Sequence, residues 1–219
     1  VRLARVMRHF SKQADGFVIG SEVGEFWVCS MSERKQLTEI AVREAHGKPV
    51  IVNVTALSSS AALDLAQHSA RHGARACIVC PPGFAVFSAE EVFQHIRLIA
   101  HYCELPTIVC GSETMGAERM TELMNEHNRC RTGSGLTEGW LATAATEEFQ
   151  VDQLCVSPQY LFASKASNEI RELAREIGTS RIVKPALEEL GLECGPLRGP
   201  YRRPTKSHLD RIRSVLNPT

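Results

Sequence analysis

Several absences narrow the field before any motif is considered. The chain has no net charge, with 25 lysines and arginines against 25 aspartates and glutamates. A balanced chain sets up no long-range field, so neither nucleic acid nor an anionic membrane is expected as a partner. Long apolar runs are also missing. The longest are of the size of Ala76 to Val79, whereas a bilayer crossing takes roughly 20 residues. No charged-then-apolar leader opens the chain, and a soluble, cytoplasmic protein is the expectation. The 8 cysteines are scattered singly through apolar segments of a chain large enough to fold without staples. They read as reduced core thiols, not a disulfide framework.

What is present is a repeat. From Phe17 to Cys110 a short β-branched run, a polar turn, an amphipathic helix and a glycine or proline recur in order. Alternation of that length means parallel βαβ units. Strands are predicted at Phe17–Ile19, Val50–Val54, Ala76–Val79 and Thr107–Cys110, apolar on both faces as a covered parallel sheet requires. Ser30 with Glu33 and Ser88 with Glu91 have capping-box spacing. The helix after Ser30 is expected to bury Leu37, Ile40, Ala41 and Ala45. The next places Ala62, Leu65, Ala66, Ser69 and Ala70 on one stripe and stops at Gly73, and the one after Ser88 turns Val92, Ile96 and Ile99 to the sheet.

Beyond Cys110 the pattern loosens. Glu118–Glu126 reads as a helix, Arg131–Gly135 as a polar glycine-rich loop and Val151–Val156 as a strand. From Asn168 helical periodicity returns, with Ile170, Leu173, Ala174 and Ile177 on one helix. Ile182, Val183, Ala186, Leu187 and Leu190 line a second, and Leu209, Ile212 and Val215 a third. Repeated βα units either close as an eight-stranded barrel or stay open as a doubly wound sheet, and periodicity does not choose. A series that begins on a helix, Leu3 to Phe10, implies an earlier strand in front of it. A full barrel takes about 250 residues, and the stretch from Cys110 to Arg181 is too short for several further units.

Four patterns suggest chemistry and fall short of it. Cys77 and Cys80 form a Cys-x-x-Cys, but strand spacing puts them on opposite faces and no second pair completes a zinc set. His68 and His72 share a helix face at the i, i+4 spacing that can bind metal, yet lack the intervening glutamate of a zincin. They are read as a solvated outer helix face, and no metal or cofactor is assigned. Gly20-Ser-Glu-Val-Gly24 follows a strand but has neither the Gly-Lys-Ser/Thr of a phosphate loop nor three glycines at dinucleotide spacing. The basic run Arg198 to Lys206 is broken by prolines and reads as a solvated crossing segment.

Three stretches carry a family resemblance. The first is Asp15-Gly-Phe-Val-Ile-Gly-Ser-Glu-Val-Gly-Glu-Phe26 followed by Ser30-Met-Ser-Glu-Arg-Lys35. The second runs from Pro49 to Gly111, with Val50-Ile-Val-Asn53, Cys80-Pro-Pro82 and Leu105-Pro106 in order. The third is Arg181-Ile-Val-Lys-Pro-Ala-Leu-Glu-Glu-Leu-Gly-Leu192 with Gly195-Pro-Leu-Arg198. Together they resemble the dihydrodipicolinate synthase and N-acetylneuraminate lyase family of class I aldolases. The resemblance implies an α/β fold, a (βα)8 TIM barrel that is incomplete in this chain. Residues 1–165 would form the barrel and 166–219 a C-terminal helical segment of the same domain. It also implies a small 2-oxo acid such as pyruvate held as a Schiff base on a lysine, and a homo-oligomer, tetramer or dimer.

Carried over by position, the resemblance puts Lys165 at the imine-forming lysine. Gly20, Ser21, Glu22 and Gly24 fall in the loop that holds the substrate carboxylate, with Glu25 on the family glutamate. Cys110 stands where a proton-shuttling tyrosine belongs. The chain departs from the pattern at Glu22 and Val23, through one extra loop residue, and at Gly83-Phe84, where a tyrosine pair is expected. Lys184 matches a family lysine outside the chemistry. Two functions therefore stay open: a Schiff-base lyase, or a non-catalytic barrel that keeps a carboxylate-binding loop as an interaction or regulatory protein.

Overall fold

The computed structural model describes residues 2–12, 14–21, 23–83, 85–111, 114–127, 130–134, 141–142, 144–146, 149–151 and 167–216. Helix α1 (Arg2–Phe10) leads into β1 (Phe17–Ile19). Three units follow: α2 (Met31–Glu44) and β2 (Val50–Asn53), α3 (Ser59–Arg71) and β3 (Ala76–Val79), α4 (Ala89–Tyr102) and β4 (Thr107–Cys110). Next come α5 (Ala117–Glu126) and the short strands β5 (Cys130–Ser134), β6 (Leu141–Ala142), β7 (Ala144–Thr146) and β8 (Phe149–Val151). Helices α6 (Ser167–Ile177), α7 (Ser180–Glu189) and α8 (Lys206–Leu216) complete the described chain.

Sheet order decides between the two architectures that periodicity left open. Strands β1 to β5 lie side by side in chain order and all parallel, with β6 antiparallel beside β5. Every crossover thus advances in one direction, as barrel winding requires. A doubly wound sheet would reverse at a switch point. The sheet also has two distinct faces. Val18, Ile51, Ala76, Ile78, Cys80, Ile108 and Cys110 form the inner cluster. The alternate residues, among them Phe17, Ile19, Val52, Cys77, Val79 and Val109, pack against Leu65, Phe93, Ile96, Ile99 and Leu123 of the surrounding helices. Cys77 and Cys80 accordingly face opposite sides, and none of the seven described cysteines is in a disulfide. No helix among the described residues is long and apolar enough to cross a membrane.

Helix starts follow the expected chemistry. Ser30 and Ser88 each accept a bond from the amide three residues on, while Glu33 and Glu91 reach back to the cap amide, so both capping boxes are complete. The bounds of α5 and the three final helices also agree with their periodicity. Four expectations are corrected. Arg131–Ser134 belongs to β5, not to a loop, pairing with β4 from Thr107↔Cys130 to Cys110↔Gly133. A buried strand edge leaves peptide groups needing partners, and that requirement overrides polar composition. In α2 the buried face runs through Arg34, Thr38 and Ala41, while Ile40 is only half-buried. Leu190 is 43% exposed just beyond α7. His68 is buried between helices and is not a solvated outer residue. The strand expected at Val151–Val156 is seen only at its first residue, the last of β8, and 152–156 lie outside the described residues.

The final helices pack partly on one another and partly on the barrel. Leu173, Ile177, Ile182, Ala186, Ile212 and Val215 make a core of their own. On its other side α7 sets Val183 and Leu187 against Phe10 and Val23, which joins it to α1 and to the loop after β1.

Candidate active site

In a singly wound barrel the C-terminal strand ends share one rim, where the connecting loops can meet a ligand. The loop after β1 begins with Gly20, whose φ of 72° only glycine adopts freely. Its carbonyl accepts a 2.8 Å bond from Asn53 Nδ2 at the end of β2. Asn53 Oδ1 in turn accepts from the Thr55 amide at 3.0 Å and the Thr55 hydroxyl at 2.6 Å. The Thr55 hydroxyl oxygen accepts from the Cys80 amide at 2.9 Å, at the end of β3. One chain of polar contacts therefore ties three successive strand ends together. Asn53 and Thr55 are buried, so each contact replaces one that water would otherwise supply.

Arg34 fastens this rim from the helix side. It reaches from the first turns of α2 to donate to the Asn53 carbonyl at 2.7 Å and the Thr55 carbonyl at 2.8 Å. Its guanidinium lies 5.2 Å from the centre of the Phe26 ring. Burial pulls its pKa down to about 10, the cost of removing a cation from water, and it remains charged at neutral pH. Gly20, Gly24, Phe26, Cys29, Arg34 and Asn53 line a small cleft behind the rim. Burial raises the Cys29 thiol above its ordinary value and outweighs the lowering by Arg198, so Cys29 is a neutral thiol there.

The loop then turns on Glu25, which adopts a left-handed conformation with φ 56°. Its side chain is 3% exposed, and Oε2 lies 2.5 Å from Lys184 Nζ of α7. Lys184 also donates to the Pro196 carbonyl at 2.9 Å. Arg198, just beyond, pairs with Glu33 at 2.7 Å. Arg203 of the same basic run pairs with Glu188, so two of its cations are matched by local acids.

The residues singled out from the sequence are placed unequally. Gly20 and Gly24 come together in the cleft, and Ser21 is buried beside them, its carbonyl accepting the Gly24 amide at 3.0 Å. Cys110 lies on the inner face of β4, buried with Cys80, Ile78 and Ile108. Three strand steps separate it from β1. Glu22 and Lys165 lie outside the described residues. Asn53, Thr55 and the role of Arg34 were not read from the sequence. A Val-Ile-Val-Asn run ending in a polar residue at a strand's C-terminal end was the available signal.

Comparisons with known proteins agree with this architecture. A family model described as the dihydrodipicolinate synthetase family matches residues 2–128. N-acetylneuraminate lyase of Enterobacter sp. (strain 638) is 32% identical over 142 residues, 64% of this chain and 46% of that protein. The chain thus spans under half the length of the curated relatives it matches. Among solved structures, a putative dihydrodipicolinate synthetase from Pseudomonas aeruginosa aligns with a TM-score of 0.80 at 17% identity, over 97% of this chain and 90% of that one. Proteus mirabilis N-acetylneuraminate lyase aligns with a TM-score of 0.74 at 17% identity, over 98% and 90%. The fold is therefore a partial (βα)8 barrel with C-terminal helices. With more than half of its residues matched by the family model and its strands wound in barrel order, the chain belongs to the dihydrodipicolinate synthetase family.

Proposed function

We propose that the chain belongs to a class I aldolase-type lyase that holds a small 2-oxo acid such as pyruvate at the rim of its strands. The observation that carries this reading is the bond from Asn53 Nδ2 to the Gly20 carbonyl. It fixes the start of a glycine-bounded loop at the C-terminal end of a parallel strand, where backbone amides and the Ser21 hydroxyl can meet a carboxylate. In this reading Gly20, Ser21, Glu22 and Gly24 form the acid-binding turn. Lys165 attacks the ketone as a neutral amine, water leaves, and an imine forms. Cys110 occupies the position of the proton carrier.

The relatives support the reading, being lyases by name. Residues 1–165 and 166–219 act as one domain, in support of which Lys184 of the second pairs with Glu25 of the first. A cytoplasmic homo-oligomer, tetramer or dimer, is part of the same proposal. A second reading has its own observation. Cys110 is wholly buried among aliphatic side chains, and a thiol there is a poor proton carrier compared with a phenol. A barrel that binds an acid without turning it over fits that replacement.

Borohydride reduction in the presence of pyruvate and related oxo acids separates the two, because it converts an imine to a stable secondary amine. An adduct mapped to Lys165 by mass spectrometry and lost in Lys165→Arg supports the lyase. Saturable acid binding with no adduct supports the non-catalytic barrel. If neither binding nor adduct is found, both readings fall.

A further inference from the structure

Away from the rim, two outer helices bring three ligand-type side chains together. His68 of α3 and His72, the residue that caps its C-terminus, stand one turn apart with their rings stacked, centroids 4.0 Å apart and planes at 26°. Glu39 of α2 faces both: its Oε1 lies 3.1 Å from His68 Nε2 and 3.8 Å from His72 Nε2. One ligand atom from each of the three residues lies within 4.8 Å of the other two. We propose that Glu39, His68 and His72 form a site for a divalent transition-metal ion of the Zn2+ class, bridging α2 to α3.

Four features point to a metal and not to an ion pair alone. His68 is only 9% exposed, and among the described residues its buried Nε2 has no hydrogen-bond partner even with Glu39 alongside. The nitrogen is close to the carboxylate but not aligned with it, which suits two ligands converging on a third atom. His72 Nδ1 lies 2.8 Å from the His68 carbonyl. A carbonyl can only accept, so Nδ1 carries a proton and Nε2, on the side of Glu39, is the ring atom left to take an ion, the arrangement by which a backbone contact orients a metal-bound imidazole.

The observed separations also fit. A tetrahedron built on bonds of roughly 2.0–2.1 Å has edges of roughly 3.3 Å, which the 3.1 and 3.8 Å separations from Glu39 bracket, and the three ligand atoms, within 4.8 Å of one another, close on an ion by side-chain rotation. Finally, Glu39 and His72 are partly open, with side chains 44% and 41% exposed. That leaves a route for the ion and room for water as the fourth ligand. Two imidazoles and a carboxylate select zinc, nickel or cobalt over magnesium or calcium, which prefer oxygen ligands. The nearby Lys35 cation is matched by Asp64 at 2.7 Å.

The place in the fold indicates the role. Helix α3 runs from the end of β2 back to the start of β3, so His68 on its last turn and His72 at its C-cap lie away from the rim. An ion there joins two barrel helices and does not touch the acid-binding loop. The stabilising effect should therefore be separable from any lyase activity.

The test is titration of the metal-free full chain with Zn2+ by calorimetry, alongside thermal unfolding and Co2+ absorption spectra. One equivalent of Zn2+ is expected to bind and raise Tm. Glu39→Gln and His72→Ala, both at partly exposed positions, should each weaken binding at least ten-fold and abolish the Tm rise. Co2+ should give d–d bands of a nitrogen and oxygen site without a thiolate charge-transfer band. Circular dichroism checks that each variant is folded. Absence of binding, binding that survives both substitutions, or a thiolate band pointing to the cysteines would each overturn the proposal.

Discussion

Lys184 Nζ sits 2.5 Å from Glu25 Oε2, joining α7 to the loop after β1 across 159 residues of chain. The carboxylate is buried, while the lysine side chain keeps 18% of its exposure. Glu25 Oε1 has no hydrogen-bond partner among the described residues. With the packing of Val183 and Leu187 against Val23, this contact connects the C-terminal helices to the candidate site.

Removing the lysine should therefore cost more than removing both charges. Lys184→Met strands a buried carboxylate, and a loss of about 3 kcal/mol is expected in urea unfolding. The double variant Glu25→Gln with Lys184→Met should recover part of that loss, because no unpaired charge remains. Equal losses in the single and double variants would mean that the pair is not coupled.

Arg34 gives a sharper test of geometry over charge. Arg34→Lys keeps the cation but cannot reach the Asn53 and Thr55 carbonyls with one planar fork. A loss of about 2 kcal/mol is expected, together with weaker binding of pyruvate in equilibrium dialysis. Asn53→Ala should weaken acid binding as well, since it frees the Gly20 carbonyl. Unchanged affinity in both variants would detach the rim contacts from ligand binding.

Acid should unfasten the segment after α7 in a predictable direction. Hydrogen bonds from Arg198, then from the Ser30 amide, hold the Glu33 carboxyl down at about 2, against an ordinary value of 4.5. The folded state therefore binds this proton less readily than the unfolded state. The stability it contributes is present above 4.5 and is lost as pH falls towards 2. Arg198→Met should make the fall of Tm over that window shallower than in the parent chain. An identical slope would remove Glu33 as its source.

Packing predictions separate two leucines that apolar periodicity placed alike on buried stripes. Leu65 is fully buried in the main core, and Leu65→Ala should cost about 2–5 kcal/mol. Leu190, 43% exposed, should tolerate alanine within about 0.5 kcal/mol. Comparable losses at both positions, measured in denaturant, would contradict the burial pattern.

Much of the fold could be read from the sequence because its signals are local. Capping boxes at Ser30 and Ser88 need only three residues of context, and the β-branched runs of β1 to β4 stand between clear stops. The polar interior was less legible. Periodicity counts apolar residues, so it passed over Arg34 and His68, which meet groups on other elements, and Thr38, whose hydroxyl donates to the Arg34 carbonyl within α2. Segment β5 was misread for a related reason, since its partner β4 makes a polar stretch into a strand. At the site, Gly20 and Ser21 were visible from the motif. The Glu25–Lys184 pair joins distant parts of the chain that no spacing rule connects, and Cys110 marks a departure from the family pattern.

The hydrogen-bonded chain from Gly20 through Asn53 and Thr55 to Cys80 has one further consequence. Its ordering is completed when the protein folds, so an arriving molecule of a few heavy atoms need not organise the surface it meets. Small acids make few contacts and could not restrain a floppy turn. A rim already held rigid lets those few contacts go to recognition, and should show the same amide exchange protection at Asn53 and Thr55 with the ligand absent as with it bound.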